Sequence, residues 1–533
     1  MSLVQDEYGN HFLIVKEQDR KRRESGLETI MSNIAASKAI CNLMKSSLGP
    51  KGMDKILVSQ DGDITITNDG ATILKEMSVE SQIARLLVDL SQSQDKEIGD
   101  GTTGVVVLAG ALLEQSEVLL EKGIHPTRIA EGFERACNYA VKTLEQISDS
   151  IDISPNSTES LQKIAKASLG SKIVSKCHSK FASIAVDAVT AVADFERKDI
   201  NFDLIKIVGK TGGELEDTEF YKGILIEKEF SHVQMPKVIK GARIAILTCP
   251  FEPPRPKTKH KLDISCLAEF RELQKYEKET FEGMIKTLKD ASVNLVICQW
   301  GFDDEANHLL LQNNINAVRW VGGSEIEMIA LCTQGRIIPR FIEITHDKLG
   351  EAECVSELSY GTMKENLIFV EGCSNSRACT VLVRGGNKMI IEEAKRSLHD
   401  AICAVRNLIL DNRIVYGGGS SEMACANTLF ITAESILNMD QHCFRSFAVA
   451  LESIPAALAY NSGLNSIDVV SNLRSLHAQG LKYSGVDCNS LGTYDMRAQN
   501  IFETFAAKKQ QYLLATQVVR MILKIDDQII QGI

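Results

Sequence analysis

Two features that often reveal function early, a membrane helix and a secretory signal, are missing from this chain of 533 residues. No apolar run is longer than Val105–Leu113, far short of the roughly 20 residues that a membrane helix needs, so we expect a soluble protein with no membrane partner. No long apolar segment follows Met1, and Asp6 and Glu7 lie close behind it, which is unlike a secretory signal. We therefore expect a cytoplasmic protein.

Excess positive charge and closely spaced cysteines are also missing. Because 59 Lys and Arg residues face 70 Asp and Glu residues, the net charge is −11, which disfavours binding to a phosphate backbone and predicts no nucleic-acid partner. The 14 cysteines include no CxxC pair and no finger-like arrangement with histidine. This spacing argues against zinc fingers and disulfide scaffolds and predicts buried thiols in a reducing compartment.

The chain does have an ordinary globular composition, with 44% hydrophobic and 24% charged residues, and enough length for about three domains. Residues 28–145 and 389–520 show mainly helical spacing of apolar residues. Between about 217 and 370, short β-rich runs alternate with helical stretches. The pattern predicts helical chain ends and an α/β middle.

Strands are also predicted within the helical ends. Lys55–Val58 and the alternating residues 63–67 predict a hairpin, with a tight turn at Asp61-Gly62. Met521–Ile525 predicts a last strand.

The segment Gly99–Gly104 has the spacing GxGxxG, but residues 79–94 before it show helical periodicity, which argues against a dinucleotide-binding fold. Small residues leave its backbone N–H groups open at the start of a predicted helix, where phosphate is favoured. Asp100 would repel phosphate directly but suits Mg²⁺ that bridges to phosphates. A phosphate loop and a simple helix N-cap both fit this segment.

Two further glycine-containing segments leave alternatives open. Leu48–Lys55 follows a predicted helix and lacks the Gly-Lys pair of a Walker A loop, so the chain is not predicted to be a P-loop NTPase. Gly49-Pro50 fits a helix C-cap as well as a phosphate loop. Gly417–Gly419 fits either close approach by a flat ligand or a flexible connector.

Taken singly, the carboxylates in these patterns are ordinary. Asp69 lies in the turn Asn68–Gly70, and Asp400 lies beside the apolar stripe of a predicted helix at Met389–Leu410, where a carboxylate is usually solvated. The charged stretch Leu262–Leu288 is helical in pattern and could pack on its own domain or bind a partner.

Together, five ordered segments resemble the nucleotide-site motifs of one family, the group II chaperonins. They are Ser47–Lys55, Asn68–Leu74, Gly99–Thr103, Arg396–Ala401 and Gly417–Gly419. The resemblance extends over nearly the whole chain. It implies a multidomain fold: a mostly α-helical equatorial domain built from both chain ends, a small intermediate domain, and an α/β apical domain with a helical protrusion.

The resemblance also implies domain boundaries. The equatorial domain would comprise 1–146 and 405–533, the intermediate domain 147–216 and 371–404, and the apical domain 217–370. The segment from Pro250 to about Leu288 would be the protrusion, which acts as a built-in lid.

By the same resemblance, one nucleotide site would use residues from several motifs. Gly49, Pro50, Gly101, Thr102 and Thr103 would hold the phosphates of ATP, and Asp100 would bind Mg²⁺. Asp69 and Asp400 would orient and activate the attacking water. The remaining contacts would be Gly418, Asp487, Glu503, Ser171 and Lys508 with the nucleotide and Lys172 with the γ-phosphate.

The function implied is that of an ATP-dependent chaperone subunit in a double eight-membered ring with seven paralogous subunits. Its substrates would be unfolded cytosolic proteins such as actin and tubulin. One alternative is a structural ring subunit that binds nucleotide but mainly positions its neighbours or recruits substrates. Another is a free-standing ATPase or small-molecule kinase, which would be a monomer.

Overall fold

The computed structural model describes most of the chain. The described residues are 2–5, 11–14, 23–59, 62, 64–77, 79, 81–151, 158–253, 264, 266–360, 365–373, 375, 377–489, 492 and 494–529. The chain forms two compact units: unit 1 contains both chain ends, Met1–Ile151 and Arg413–Ile533, and unit 2 is Asp152–Asn412. The finer domain boundaries at 146, 216, 370 and 404 stay predictions.

The helices are α1 Leu27–Lys45, α2 Gly70–Glu76, α3 Gln82–Glu97, α4 Thr102–Glu121, α5 Pro126–Ile147, α6 Thr158–Leu169, α7 His178–Val192, α8 Leu267–Asp290, α9 Asp304–Gln312, α10 Gly323–Thr333, α11 Lys388–Leu410, α12 Ser420–Ser435, α13 Asp440–Asn461, α14 Ser466–Ala478 and α15 Phe505–Leu523. The strands are β1 Ser2–Gln5, β2 His11–Ile14, β3 Arg23–Ser25, β4 Lys55–Val58, β5 Ile64–Thr67, β6 Asp149–Ser150, β7 Ile205–Thr211, β8 Glu219–Tyr221, β9 Gly223–Ile226, β10 Val238–Leu247, β11 Leu295–Cys298, β12 Asn316–Val318, β13 Ile337–Ile338, β14 Gly350–Tyr360, β15 Glu365–Cys373, β16 Cys379–Gly385, β17 Arg413–Tyr416, β18 Phe502–Thr504 and β19 Asp527–Ile529.

Unit 1 is built around helix α4. Within the described residues, α4 is the one helix long and apolar enough to cross a membrane by length and composition. Its apolar stretch is 72% buried in the structure, where α4 packs against α1, α3, α13 and α15. A helix that is apolar on every face needs such surroundings, so burial in unit 1 accounts for its composition.

The two ends of the chain meet within unit 1. Strand β19 pairs antiparallel with β3, and the Gly26 N–H donates to the Asp526 carbonyl at 2.8 Å. Strand β17 lies between β6 and β18 in a second small sheet. Segments from both ends of the sequence therefore complete the same unit.

Unit 2 contains a large mixed sheet with the strand order β12-β11-β10-β14-β15-β9, and β13 also pairs with β10. Strands β10, β11 and β12 are parallel, and α8 and α9 connect them in sequence. This strand–helix–strand alternation confirms the α/β middle of the chain. A second sheet has the order β7-β16-β8, and α11 packs against α6 and α7.

One sequence-based expectation about strands is confirmed and one is wrong. The predicted hairpin exists: Val58 pairs with Ile64, and between the strands the Gly62 N–H donates to the Ser59 carbonyl at 3.0 Å. Gly62 has φ +86°, while Asp61 lies outside the described residues. The predicted strand Met521–Ile525 is wrong, because α15 continues to Leu523 and the last strand is β19.

The helix predicted from Leu262 also begins later, since Ile264 is not helical and α8 starts at Leu267. Residues 254–263 and Ser265, which belong to the predicted protrusion, lie outside the described residues. The buried residues of α8 are all in its second half, and Leu267 is 68% exposed. Only that half packs on unit 2.

Candidate nucleotide site

The loop after α1 is compact and contains a glycine with a positive φ angle. The Gly52 N–H donates to the Gly49 carbonyl at 3.0 Å, and the Met53 N–H donates to the Ser46 carbonyl at 2.9 Å. Gly49 has φ +89°, and a Cβ there would lie 2.4 Å from Leu458 Cδ2. Because α1 ends at Lys45, Gly49 is not the residue that caps it. The loop itself requires this glycine.

Asn461, at the end of α13, holds this loop in place. Its Nδ2 donates to the carbonyls of Lys45 at 2.9 Å and Leu48 at 2.7 Å. Sequence analysis missed this residue, because 413 residues separate it from Leu48 and no local pattern marks the contact.

We expect Asn461→Ala to destabilise the loop by about 1–3 kcal/mol, because two backbone carbonyls lose their donor. Hydrogen exchange at the amides of Gly52 and Met53 should therefore become faster. The matched control is Asn465→Ala, which removes the N-cap of α14 and leaves the loop contacts intact. Unchanged exchange in the Asn461 variant would contradict this role.

Asp69 links α2 to the start of α4. Its Oδ2 accepts from the backbone N–H and the hydroxyl of Thr72 at 2.9 and 2.8 Å, which caps α2. Its Oδ1 accepts from the Thr102 hydroxyl at 3.0 Å. A Cβ at Gly70 would lie 2.8 Å from the Thr103 backbone nitrogen, so the two helix ends approach as closely as glycine permits. The carboxylate is held in one orientation.

Asp100 and Gly101 form the turn into α4. The Gly101 N–H donates to Asp100 Oδ1 at 2.7 Å, and Gln94 Nε2 donates to the Asp100 carbonyl at 2.9 Å. Gly101 has φ +76° and occupies the N-cap position without a side-chain cap. The structure thus brings Asp69, Asp100 and the N–H groups of the α4 terminus to one corner, where phosphate and a cation could bind together.

The three-glycine segment is packed rather than a flexible connector. Gly418 and Gly419 have φ +66° and +76°, and Gly419 is the N-cap of α12. The Val486 N–H donates to the Gly418 carbonyl at 2.8 Å, and a Cβ at Gly418 would lie 2.6 Å from Met496 Sδ. A close backbone approach therefore explains these glycines.

Asp487 is the residue after Val486, whose N–H makes the contact with Gly418. Its carboxylate accepts from the Gly492 N–H at 2.8 Å and from Gln499 Nε2 at 3.2 Å. The residue is largely buried at 8% exposure. Its orientation is fixed by the protein.

Glu503 and Lys508 belong to a buried charge cluster. Lys508 Nζ lies 2.7 Å from Glu503 Oε2 and 2.5 Å from Glu422 Oε1, and Glu422 is fully buried. Burial raises the pKa of Glu503. The positive charge of Lys508 lowers this pKa, and the negative charge of Asp100 raises it. Burial lowers the pKa of Lys508, but the two carboxylates raise it well above its ordinary value. Sequence analysis found Glu503 and Lys508 but missed Glu422.

In unit 2, Lys172 and Asp400 form an ion pair across 228 residues of sequence. Lys172 follows Ser171 in the loop after α6, and Asp400 lies on α11. Their side chains are 10% and 16% exposed. A mostly buried ammonium and carboxylate hold each other in place, since either one alone would be costly to bury.

Magnesium would have few protein ligands here. Within the part of the chain that the structure describes, no group of three or more His, Cys, Asp or Glu side chains is arranged to hold a metal ion. Mg²⁺ commonly binds through one or two carboxylates together with substrate phosphates. The Asp100 carboxylate beside the α4 terminus fits that mode of binding.

A separate cavity of about 640 Å³ lies between α5 and α15. Cys137, Asn138, Gln510, Leu513 and Gln517 are among the residues that line it. No predicted site residue contributes to this lining, so the cavity is distinct from the corner at the start of α4.

Known proteins resemble this chain along almost its full length. The TCP-1/cpn60 chaperonin family matches residues 40–532. T-complex protein 1 subunit epsilon of Encephalitozoon cuniculi strain GB-M1 is 50% identical over 527 residues, with 98% of each protein covered. Two segments of the sequence, Thr248–Pro254 and Gln299–His308, resemble the epsilon subunit of the eukaryotic cytosolic chaperonin, and this relative confirms that resemblance.

Archaeal proteins are similar as well. The thermosome subunit of Methanocaldococcus jannaschii is 40% identical over 516 residues, and that of Methanopyrus kandleri is 39% identical over 521 residues. Each comparison covers 97% of this chain and 94% of the relative. The chain therefore belongs to the TCP-1/cpn60 chaperonin family, as a group II chaperonin subunit.

Proposed function

We propose that this chain is an ATP-hydrolysing chaperone subunit of a cytoplasmic double ring, with seven paralogous subunits in each eight-membered ring. Its substrates are unfolded proteins such as actin and tubulin. The observation that carries the proposal is the corner at the start of α4, where the Thr102 hydroxyl donates to Asp69 and the Gly101 N–H donates to Asp100. Membership of the chaperonin family supports the rest.

The phosphates are bound by backbone groups in this proposal. The loop at Gly49 and Pro50 and the loop formed by Gly101, Thr102 and Thr103 hold them. Asp100 would hold Mg²⁺ there, and the bound ion would supply neutralisation of the charge on the γ-phosphoryl group. The nucleoside contacts Gly418 and Asp487.

Asp69 and Asp400 orient and activate the attacking water. Hydrolysis of a γ-phosphoryl group depends more on in-line positioning than on a strong base. The hydrogen bonds from Thr72 and Thr102 suit Asp69 to this task, because they fix the direction of its lone pairs. Lys172, which pairs with Asp400, senses the γ-phosphate, and Ser171 lies beside it.

Glu503 completes the nucleoside side of the site, and Lys508 acts through it. The ammonium of Lys508 is already held by two carboxylates, and the residue is only 7% exposed. We therefore assign Lys508 to positioning Glu503.

The test is to purify the full-length chain with a C-terminal affinity tag from its own cells. We expect a double-ring particle in electron micrographs, masses of seven further paralogous subunits, and ATP hydrolysis that stops when Mg²⁺ is removed by EDTA. A monomer in light scattering that hydrolyses ATP unaided would contradict the proposal and support a free-standing ATPase.

A further inference from the structure

Gln94, a residue of α3, contacts the turn that leads into α4 with both its backbone and its side chain. The residue is 0% exposed. Its backbone carbonyl accepts from the N–H groups of Ile98 at 2.9 Å and Gly99 at 3.2 Å. Its side-chain Nε2 donates to the Asp100 carbonyl at 2.9 Å. One residue therefore ends α3 and also holds the turn that follows it.

The side-chain hydrogen bond of Gln94 fixes one peptide group in this turn. The carbonyl of Asp100 and the N–H of Gly101 belong to the same planar unit. The carbonyl end accepts from Gln94, and the N–H end donates to Asp100 Oδ1 at 2.7 Å. Rotation of the plane would break both hydrogen bonds, so the bond at the carbonyl also holds the Asp100 carboxylate.

The turn cannot fix this peptide group by itself. Both of its glycines, Gly99 and Gly101, have positive φ angles, +73° and +76°. Because glycine adopts positive and negative φ about equally well, the backbone does not select one orientation of the plane. The contacts that select it come from α3. A Cβ at Gly101 would lie 3.7 Å from Gln94 Nε2, and Ser91 Oγ donates to the Thr102 carbonyl at 3.3 Å.

The other end of the Gln94 amide has no role in stability. Its Oε1 is buried and accepts no hydrogen bond from any residue that the structure describes. A buried amide oxygen without a donor lowers the stability of a protein. An apolar side chain of similar length would fill the same space without this cost. Packing therefore does not explain an amide at position 94, whereas the hydrogen bond from Nε2 to the turn does.

We propose that Gln94 is a positioning residue of the nucleotide site, which holds the Asp100–Gly101 peptide group so that the Asp100 carboxylate is already oriented for Mg²⁺. Gln94 itself contacts neither the ion nor the nucleotide. A carboxylate that is held in place before binding loses less conformational freedom when the ion arrives, which increases the affinity. This inference rests on the proposed function and adds to it the residue that orients the metal ligand.

The test measures binding of Mg²⁺-nucleotide to this chain within the assembled complex. The complex is isolated through a tag on the chain that carries Gln94→Met and is crosslinked to azido-ATP with a radiolabelled α-phosphate at increasing free Mg²⁺. Bound ATP and ADP give the same label, so the readout is occupancy rather than hydrolysis. We expect the half-saturating Mg²⁺ concentration to rise about three- to tenfold, the effect of one hydrogen bond, with wild-type labelling at saturating Mg²⁺. An unchanged half-saturating concentration would overturn the proposal.

A second variant and a matched control complete the experiment. Gln94→Asn keeps the amide but is one methylene too short to reach the Asp100 carbonyl, so it should shift the Mg²⁺ dependence to a similar extent, even if the methionine variant does not assemble. Deuterium uptake at Gly101 should increase in both. Gln92→Met makes the same chemical change at a half-buried position of α3 and should leave the Mg²⁺ dependence unchanged. A control with an equal shift would overturn the proposal, as would Gln94 variants that lose labelling at every Mg²⁺ concentration.

The wild-type chain separates failure of this inference from failure of the proposed function. Mg²⁺-dependent labelling of the wild type, without a shift in either Gln94 variant, contradicts the role of Gln94 and leaves the proposed function intact. A wild-type chain that takes up no label in the assembled complex at any Mg²⁺ concentration contradicts the proposed function, and this inference with it.

Discussion

Asp400→Asn is expected to leave ATP bound to this chain but to slow its hydrolysis there by at least about 100-fold. This factor is the lower end of the rate loss expected when a positioned acid–base group is removed. The amide has the shape of the carboxylate but not its charge, so it cannot accept a proton or orient water as strongly. Lys172 then loses its carboxylate partner and is available to the γ-phosphate, which should keep nucleotide affinity at least at the wild-type level.

The measurement must report on this chain alone. A complex isolated through a tag on the variant chain is loaded with radiolabelled azido-ATP and crosslinked, and the ATP-to-ADP ratio on this chain is followed with time. Glu392→Gln is the control, because Glu392 is a more exposed acid of the same helix and pairs with Lys395 at 2.9 Å. Turnover in the Asp400 variant at the wild-type rate would remove Asp400 from the catalytic set.

The same measurement also distinguishes the alternative function. A wild-type chain that retains ATP as long as the Asp400 variant, within a ring that still folds its substrates, would indicate a structural subunit that binds nucleotide. Rapid conversion to ADP in the wild type alone would support the catalytic role.

Lys508→Met should destabilise unit 1 by about 3–5 kcal/mol, because it leaves the fully buried Glu422 carboxylate, together with the partly exposed Glu503, without their cation. Glu422 is fully buried and Lys508 lies 2.5 Å from it. Native-state hydrogen exchange at amides of α12 and α15 measures this loss, since both helices contribute to the cluster. A second variant that adds Glu422→Gln and Glu503→Gln removes the stranded charges and should recover most of the stability.

The adjacent lysine provides a matched control for this prediction. Lys509 pairs with Glu145 at 3.7 Å, and the two side chains are 40% and 43% exposed. Exposed pairs of this kind contribute about 0–1 kcal/mol, so Lys509→Met should have little effect. Equal losses for the two lysines would mean that the Lys508 cluster does not stabilise the unit.

Much of the fold was predictable because it follows from local periodicity. The helix after the Gly99–Gly104 segment and the short strands of the middle region both appear in the sequence pattern, and the structure has them as α4 and as buried strands such as β9. The predicted last strand failed for a physical reason. Ile522 and Leu523 form an apolar run that suits a strand, but they continue the buried face of α15 beyond Val519.

The site was predictable only in part, because sequence motifs show local chemistry and not long-range partners. Asp69, Asp100 and Thr102 lie in recognisable loops, and the structure joins Asp69 to Thr102 by a hydrogen bond. Asn461 and Glu422 were missed, since each looks like an ordinary residue of an amphipathic helix. Their roles depend on carbonyls and charges supplied from distant segments.

The division of unit 1 between the two chain ends affects how the protein is made. During synthesis, residues 1–151 emerge first and α4 has α1 and α3 beside it, but α13 and α15 do not yet exist. Residues 152–412 must be translated before any of the completing helices appear, which takes roughly 10 to 50 seconds at about 5–20 residues per second. Throughout that interval the most apolar helix of the nascent chain is only partly covered. A protein of this family therefore itself needs protection from aggregation before it can protect others.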